Sequence, residues 1–133
     1  MPADAELCEY LEDEAVGTVG TDLFVGELPA GIVNGMVLTM YPGPAPELTC
    51  GSDGWTIEMP RLQFRACHTS EAIAWTNATK ASVAFSKVKN QLIEGVRYRS
   101  VTVLQTPGLL YRDENNRPNY GFNLECEKVL SYA

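Results

Sequence analysis

The sequence has few of the residues that enzymes use for catalysis and metal binding. Its one histidine is His68, and its four cysteines occur singly, without a C-x-x-C pair. Zinc sites normally need ligands at such short spacings, so Cys8, Cys50, Cys67 and Cys126 are predicted to be buried, reduced thiols. His68 lies between a predicted strand and a predicted helix start, where a surface or capping role is favoured over general-base catalysis.

Sequence motifs of the common nucleotide-binding and hydrolase sites are also missing. No G-x-G-x-x-G, G-x-x-x-x-G-K-[ST] or G-x-S-x-G pattern occurs, and these patterns mark dinucleotide, triphosphate and α/β-hydrolase sites. We therefore predict a protein that is not an enzyme, with no catalytic residue, no cofactor and no metal ion.

Long apolar runs are absent as well. The longest uncharged stretch, 28–46, is interrupted by prolines and glycines, and the N-terminus has no basic region followed by an apolar segment. Membrane-spanning helices and classical export signals need such runs. The sequence thus predicts a protein that neither crosses a membrane nor is exported by a classical signal.

Basic residues are missing from the N-terminal segment. Residues 1–30 contain eight acids and no Lys or Arg, whereas residues 31–133 contain nine acids and ten bases. The net charge of −7 is therefore carried by this segment. Recognition of nucleic-acid phosphates needs clustered Lys and Arg, so specific DNA or RNA binding is not expected.

What the chain does contain is the composition of one folded domain. With 133 residues, 45% hydrophobic and 20% charged, it has the size and balance of a single globular unit. The interpretation is one domain over residues 1–133.

Hydrophobic periodicity predicts an α+β fold. A short amphipathic helix is expected over Asp4–Val16 and a long one over Glu71–Ile93, ended by Gly95. The long helix has an apolar stripe formed by Ala74, Ala78, Ala81, Phe85, Val88 and Leu92. Strands are predicted at Asp22–Gly26, Met36–Tyr41, Pro60–Cys67, Arg97–Gln105, Leu109–Arg112 and Tyr120–Glu127. A mostly antiparallel sheet with both helices on one face accommodates this order.

Two turn-rich segments are candidates for partner contact. The first is the loop 42–54, with Pro42, Pro44, Pro46 and Asp53, and the second is the hairpin tip after Arg112, with Asp113, Glu114, Asn116 and Arg117. Long loops on a rigid sheet commonly carry recognition.

Four short segments, in order along the chain, resemble one protein family. The run 17–29 follows the pattern G-x-x-G-x-D-L-F-x-G-x-L-P, and it is followed by Pro60–Arg65, by Leu104–Pro107 and by Arg112–Pro118. Together they make the chain similar to the minor capsid proteins of phages that act as tail terminators.

The resemblance implies a virion structural protein at the neck of the tail, assembled in the host cytoplasm. Such a protein forms a ring with itself, commonly a hexamer, at the head-proximal end of the tail tube. The ring ends tube polymerisation and joins the tail tube protein to the head connector, while DNA passes through without specific binding. Two alternatives remain: another neck or head-completion protein, or a small-molecule-binding α+β domain.

The acids of the first helix are candidates for the channel surface of such a ring. Glu6, Glu9, Glu12, Asp13 and Glu14 could face the lumen, where negative charge would repel DNA phosphates. The alternative is that they lie on the outer rim and contribute only to solubility.

Overall fold

The computed structural model describes residues 2–45, 47–48 and 55–131. Within these residues two helices and nine strands follow one another as α1 (Ala3–Asp13), β1 (Leu23–Val25), β2 (Gly35–Tyr41), β3 (Glu47–Leu48), β4 (Trp55–Glu58), β5 (Arg61–Cys67), α2 (Glu71–Ser86), β6 (Lys89–Ile93), β7 (Val96–Val103), β8 (Gly108–Arg112) and β9 (Pro118–Ser131). All strand pairs are antiparallel except β1 with β2. The predicted α+β class is confirmed.

Strand β9 organises the sheet because it pairs along both of its edges. On one edge its first half pairs with β5 and its last residues pair with β4. On the other edge its start pairs with β8 and its middle with β7. Strands β2 and β1 extend the sheet beyond β5. The sheet therefore has β1 at one margin and β8 at the opposite margin.

The core lies between the sheet and the helices. Phe64 of β5 and Phe122 of β9 are cross-strand partners whose rings stack at 5.4 Å, and Phe85 of α2 meets Phe122 edge-on at 6.2 Å. The buried alanines of α2, which include Ala74, Ala78 and Ala81, allow the helix to approach the sheet closely. The alternating pattern of β5 thus correctly predicted its buried face.

The long helix is shorter than predicted. It ends at Ser86 instead of Ile93, and residues 89–93 form strand β6, paired with β7. Val88 is still buried, but Leu92 is 60% exposed. The helical spacing of apolar residues continues by coincidence into residues 89–93. The backbone of this segment is hydrogen-bonded to β7, which makes it a strand.

Gly95 has a different role from the predicted helix terminator. Ile93 pairs with Val96, so Glu94 and Gly95 form a two-residue hairpin turn between β6 and β7. Both have positive φ, 50° and 78°, which is the type I′ geometry that favours glycine. Helix α1 likewise ends before Gly17, because Ala15 adopts the left-handed conformation with φ 59°.

Neither helix in the described ranges is long and apolar enough to cross a membrane.

Candidate functional site

The three described cysteines lie inside the protein. Cys8, Cys67 and Cys126 are buried and free of disulfides, and burial raises the pKa of the Cys8 and Cys126 thiols to about 12. Cys50 lies outside the described residues. His68 Nδ1 accepts a hydrogen bond from the Ser70 backbone N–H at 2.8 Å, next to the start of α2.

No group of three or more His, Cys, Asp and Glu side chains that could hold a metal ion occurs in the described part of the chain. Its clefts are open and lie at the surface. The candidate functional site therefore lies on the exposed surface. Some of the predicted contact residues are exposed on it, whereas others are buried.

Glu6 does not lie on the candidate channel surface. Its side chain is 1% exposed and accepts hydrogen bonds from Lys128 Nζ at 2.6 Å and from the Tyr98 hydroxyl at 2.8 Å. Burial, followed by the hydrogen bond to Glu6, raises the pKa of Tyr98. The prediction that Glu6 faces a channel is wrong, because its carboxylate is buried and is paired with Lys128 of the same chain.

The other four acids of this region lie at or near the surface of α1 and its C-terminal end. Glu9 and Glu12 are half-buried, whereas Asp13 and Glu14 are exposed. Partial loss of solvent and the nearby charges of Glu12, Glu94 and Asp13 raise the pKa of Glu9. The surface of α1 is therefore a region of concentrated negative charge.

The hairpin tip is more tightly held than a free loop. Asp113 accepts backbone hydrogen bonds from Asn115 and Arg117, at 3.0 and 2.9 Å, and pairs with the Arg117 side chain at 2.8 Å. These contacts lower the pKa of Asp113, the backbone bond from Arg117 first. Arg117 also donates to the carbonyls of Ile32 and Val33. Glu114, Asn115 and Asn116 are the exposed side chains of the tip.

The proline-rich loop borders an open cleft at the end of β2. Pro42 and Pro44 line it with Met40, Tyr41, Gly43, Glu58, Met59 and Pro60, around a volume of about 400 Å³. Pro46 and Asp53, the other two contact candidates of this loop, lie outside the described residues.

An uncharged face of α2 was not identified as a site from the sequence. Opposite the buried alanines, this face carries Ala72, Trp75, Thr76, Thr79 and Val83. Trp75 is 51% exposed and Val83 is 52% exposed. A surface helix normally places charged residues on its outer side.

Trp75 separates two open clefts. One, of about 400 Å³, runs past Val83 and Lys80 to Glu14 and Val16 at the end of α1. The other, of about 560 Å³, lies between α2 and residues 103–107 and includes Leu104. The signal that could have found this surface is the absence of any acid from residues 72–93.

Two comparisons with known proteins bear on this fold. Residues 10–130 match the family model described as bacteriophage tail terminator protein. A chain of the solved structure "Virion of native gene transfer agent (GTA) particle" matches with a TM-score of 0.58 at 14% identity, covering 96% of this chain and 87% of that one. No curated protein sequence matches it significantly.

Proposed function

Because this chain belongs to the bacteriophage tail terminator family, and is therefore a structural protein of a phage tail, we propose that it forms the ring that closes the tail tube at its head-proximal end. The observation that carries the proposal is the family match over residues 10–130. In this role the chain binds further copies of itself, commonly six, together with the tail tube protein below and the head connector above. It assembles in the host cytoplasm and has no catalytic role.

Two surfaces of the subunit support contacts along the axis of such a ring. The Pro42 and Pro44 cleft lies at one end of the sheet, where β2 meets the start of β5, whereas the 113–117 tip follows β8 near the other end. A ring between two different partners needs one contact surface for each. We assign one of these two surfaces to each partner.

The acidic surface of α1 supports a role in DNA passage. Glu9, Glu12, Asp13 and Glu14 carry negative charge without a salt bridge to a base in the described part of the subunit. A channel wall of this charge repels phosphates and avoids the counterion release that drives DNA binding. We propose that these four acids face the lumen; a place on the outer rim is the competing assignment.

A ligand-binding role receives no support from the inward face of the sheet. Leu62, Phe64, Phe122 and Leu124 fill the space that a pocket on that face would need, and each is 1% exposed or less.

Another neck or head-completion role is the second candidate, because it too is performed by small virion proteins.

Electron microscopy of particles from a virus that lacks this gene separates the two. Loss of a terminator leaves tube growth unchecked, so tails of uncontrolled length without heads are expected, and supplying the gene in trans should restore uniform tails. Headless tails of normal, uniform length would instead assign the chain to a later joining step.

A further inference from the structure

Charge is divided unequally between two parts of the sequence. Residues 72–112 contain six bases and one acid, a net charge of +5, whereas the remaining residues contain four bases and sixteen acids, a net charge of −12; the two sum to −7. The first part forms β6, β7, β8 and all of α2 except its first residue, Glu71. The second includes α1, β1 and β2 and carries most of the acids.

The outermost strands of the two parts lie at opposite margins of the sheet, whereas α2 packs across its middle, on β5, β7 and β9. Strand β8 lies at one margin and β1 at the other, with β9, β5 and β2 between them, a span of about 19 Å at the usual spacing of strands. We call the outer face of α2 with residues 103–107 the basic flank, and the margin formed by β1 and its neighbours Asp22 and Glu27 the acidic flank. Lys80 and Lys87 border the basic flank.

A closed ring of more than two copies joins two different surfaces of the same chain. Copies that each carry −7 repel one another, so a contact between them needs a surface free of acids or one that meets opposite charge. The outer face of α2 carries no acid from residue 72 onward and is bordered by Lys80 and Lys87, with Glu14 at the far end of the adjoining cleft. The acidic flank offers the opposite charge and an exposed apolar residue, Val25 on β1.

The size of the basic flank also suits a contact between subunits. Helix α2 has 16 residues, which gives it a length of about 24 Å. Residues 103–107 and the clefts on either side of α2 extend this surface toward the ~800 Å² per partner of a standard interface. Tryptophan is among the residue types that are enriched at the positions dominating binding energy.

We propose that the basic flank of one copy receives the acidic flank of the next copy in the ring, with Trp75 as the central anchor. This inference rests on the proposed ring and specifies its subunit contact. Val25 and Glu27 of the incoming copy lie against α2, where Lys80 compensates the carboxylate. The contact is head-to-tail, so every subunit uses both flanks.

Sedimentation velocity over a range of concentrations tests this contact. Trp75→Ser should weaken self-association at least about 30-fold, the loss expected for a dominant interface residue, while melting within a few degrees of the wild type. Leu92→Ser is the matched control, because Leu92 is also exposed but lies on β6, outside both flanks, and it should assemble normally. Val83→Arg repeats the test should Trp75→Ser fail to fold.

Mixing two defective variants identifies the head-to-tail geometry. Val25→Arg/Glu27→Lys damages the acidic flank and Trp75→Ser the basic flank, so neither should form rings alone. Mixed in equal amounts, they retain one intact pair of flanks and should form one-to-one dimers that do not grow. Absence of dimers in the mixture would refute the pairing of these two flanks.

The outcomes separate this contact from the ring itself. If the wild type forms rings and Trp75→Ser forms them equally well, the contact is wrong and the ring stands. If the wild type forms no closed oligomer at any concentration, the ring is wrong and the contact is lost with it.

Discussion

Lys128 Nζ of the last strand lies 2.6 Å from Glu6 Oε1 of the first helix, with both side chains buried. The two residues are 122 positions apart in the chain. Lys128 also lies 5.9 Å from the centre of the Tyr98 ring, and the Tyr98 hydroxyl donates to the same Glu6 oxygen. This cluster fixes α1 to β7 and β9, and so fixes the orientation of the acids that follow Glu6.

Breaking this pair should destabilise the protein strongly. Glu6→Gln should lower the free energy of unfolding by about 3–5 kcal/mol, because a buried Lys128 loses its carboxylate partner. Urea denaturation of both single variants and of Glu6→Gln/Lys128→Met measures the coupling. The double variant should lose less than the sum of the single ones, and strict additivity would mean that the two charges do not interact.

The corrected end of α2 is testable with one matched pair of variants. Phe85→Ala should cost about 3–5 kcal/mol, since Phe85 is fully buried. Leu92→Ala should cost less than about 1 kcal/mol, because Leu92 is on the exposed strand β6. Similar losses of stability in both variants would show that the helix continues to Ile93.

Gly121 is placed where no other residue fits. A Cβ atom there would collide with the backbone carbonyl of Phe64, so Gly121→Ala should destabilise by about 1–3 kcal/mol or more. Its cross-strand partner Gly108 has only a distant neighbour, the Thr106 carbonyl at 3.9 Å. The melting temperature of Gly108→Ala should therefore be close to that of the wild type. Equal melting temperatures of the two variants would contradict the close approach of Gly121 to the Phe64 carbonyl.

The buried thiols should be unreactive at neutral pH. With the pKa of Cys8 and Cys126 at about 12, iodoacetamide at pH 8 should label neither in the folded protein, and both in urea. Peptide mass spectrometry distinguishes them from Cys50 and Cys67. Rapid labelling of Cys126 in the folded state would show that it is accessible.

The same shift has a consequence for stability at high pH. The folded state keeps these thiols protonated, whereas an unfolded thiol ionises near pH 8.5. Their contribution to stability is therefore complete below about pH 8.5 and is lost as the pH rises toward 12. Urea midpoints between pH 8 and 10.5 should fall with pH, and Cys8→Ala/Cys126→Ala should reduce the slope.

Reversing charge on α1 tests the channel assignment. Glu9→Lys/Glu12→Lys should leave ring assembly intact and slow DNA ejection, because added positive charge in a lumen binds phosphates. Glu127→Lys on β9, outside α1 and outside both proposed partner surfaces, is the control for a change of charge elsewhere. The rate of ejection is measured by the fluorescence of a DNA-binding dye. An unchanged rate would place α1 on the outer rim.

Local patterns in the sequence determined the fold class and most of the core. The alternation of β5 and of residues 120–127 in β9 identified the buried side chains, and the apolar stripe of α2 was correct up to Phe85. These features depend on periodicities of two and 3.6 residues, which neighbouring residues show directly. The family resemblance was also recognisable without a structure, because it depends on short sequence segments that occur in a fixed order.

Only the tertiary structure decided the rest. Residues 89–93 satisfy a helical spacing, and their pairing with β7 makes them a strand. Glu6 is acidic like its neighbours on α1, and it is buried only because Lys128 arrives from the other end of the chain to neutralise it. Trp75 lies beside an apolar stripe in sequence, yet the rotation of α2 on the sheet turns it outward. In each case the outcome depends on contacts between residues far apart in the chain, and these contacts leave no periodic signal in the sequence.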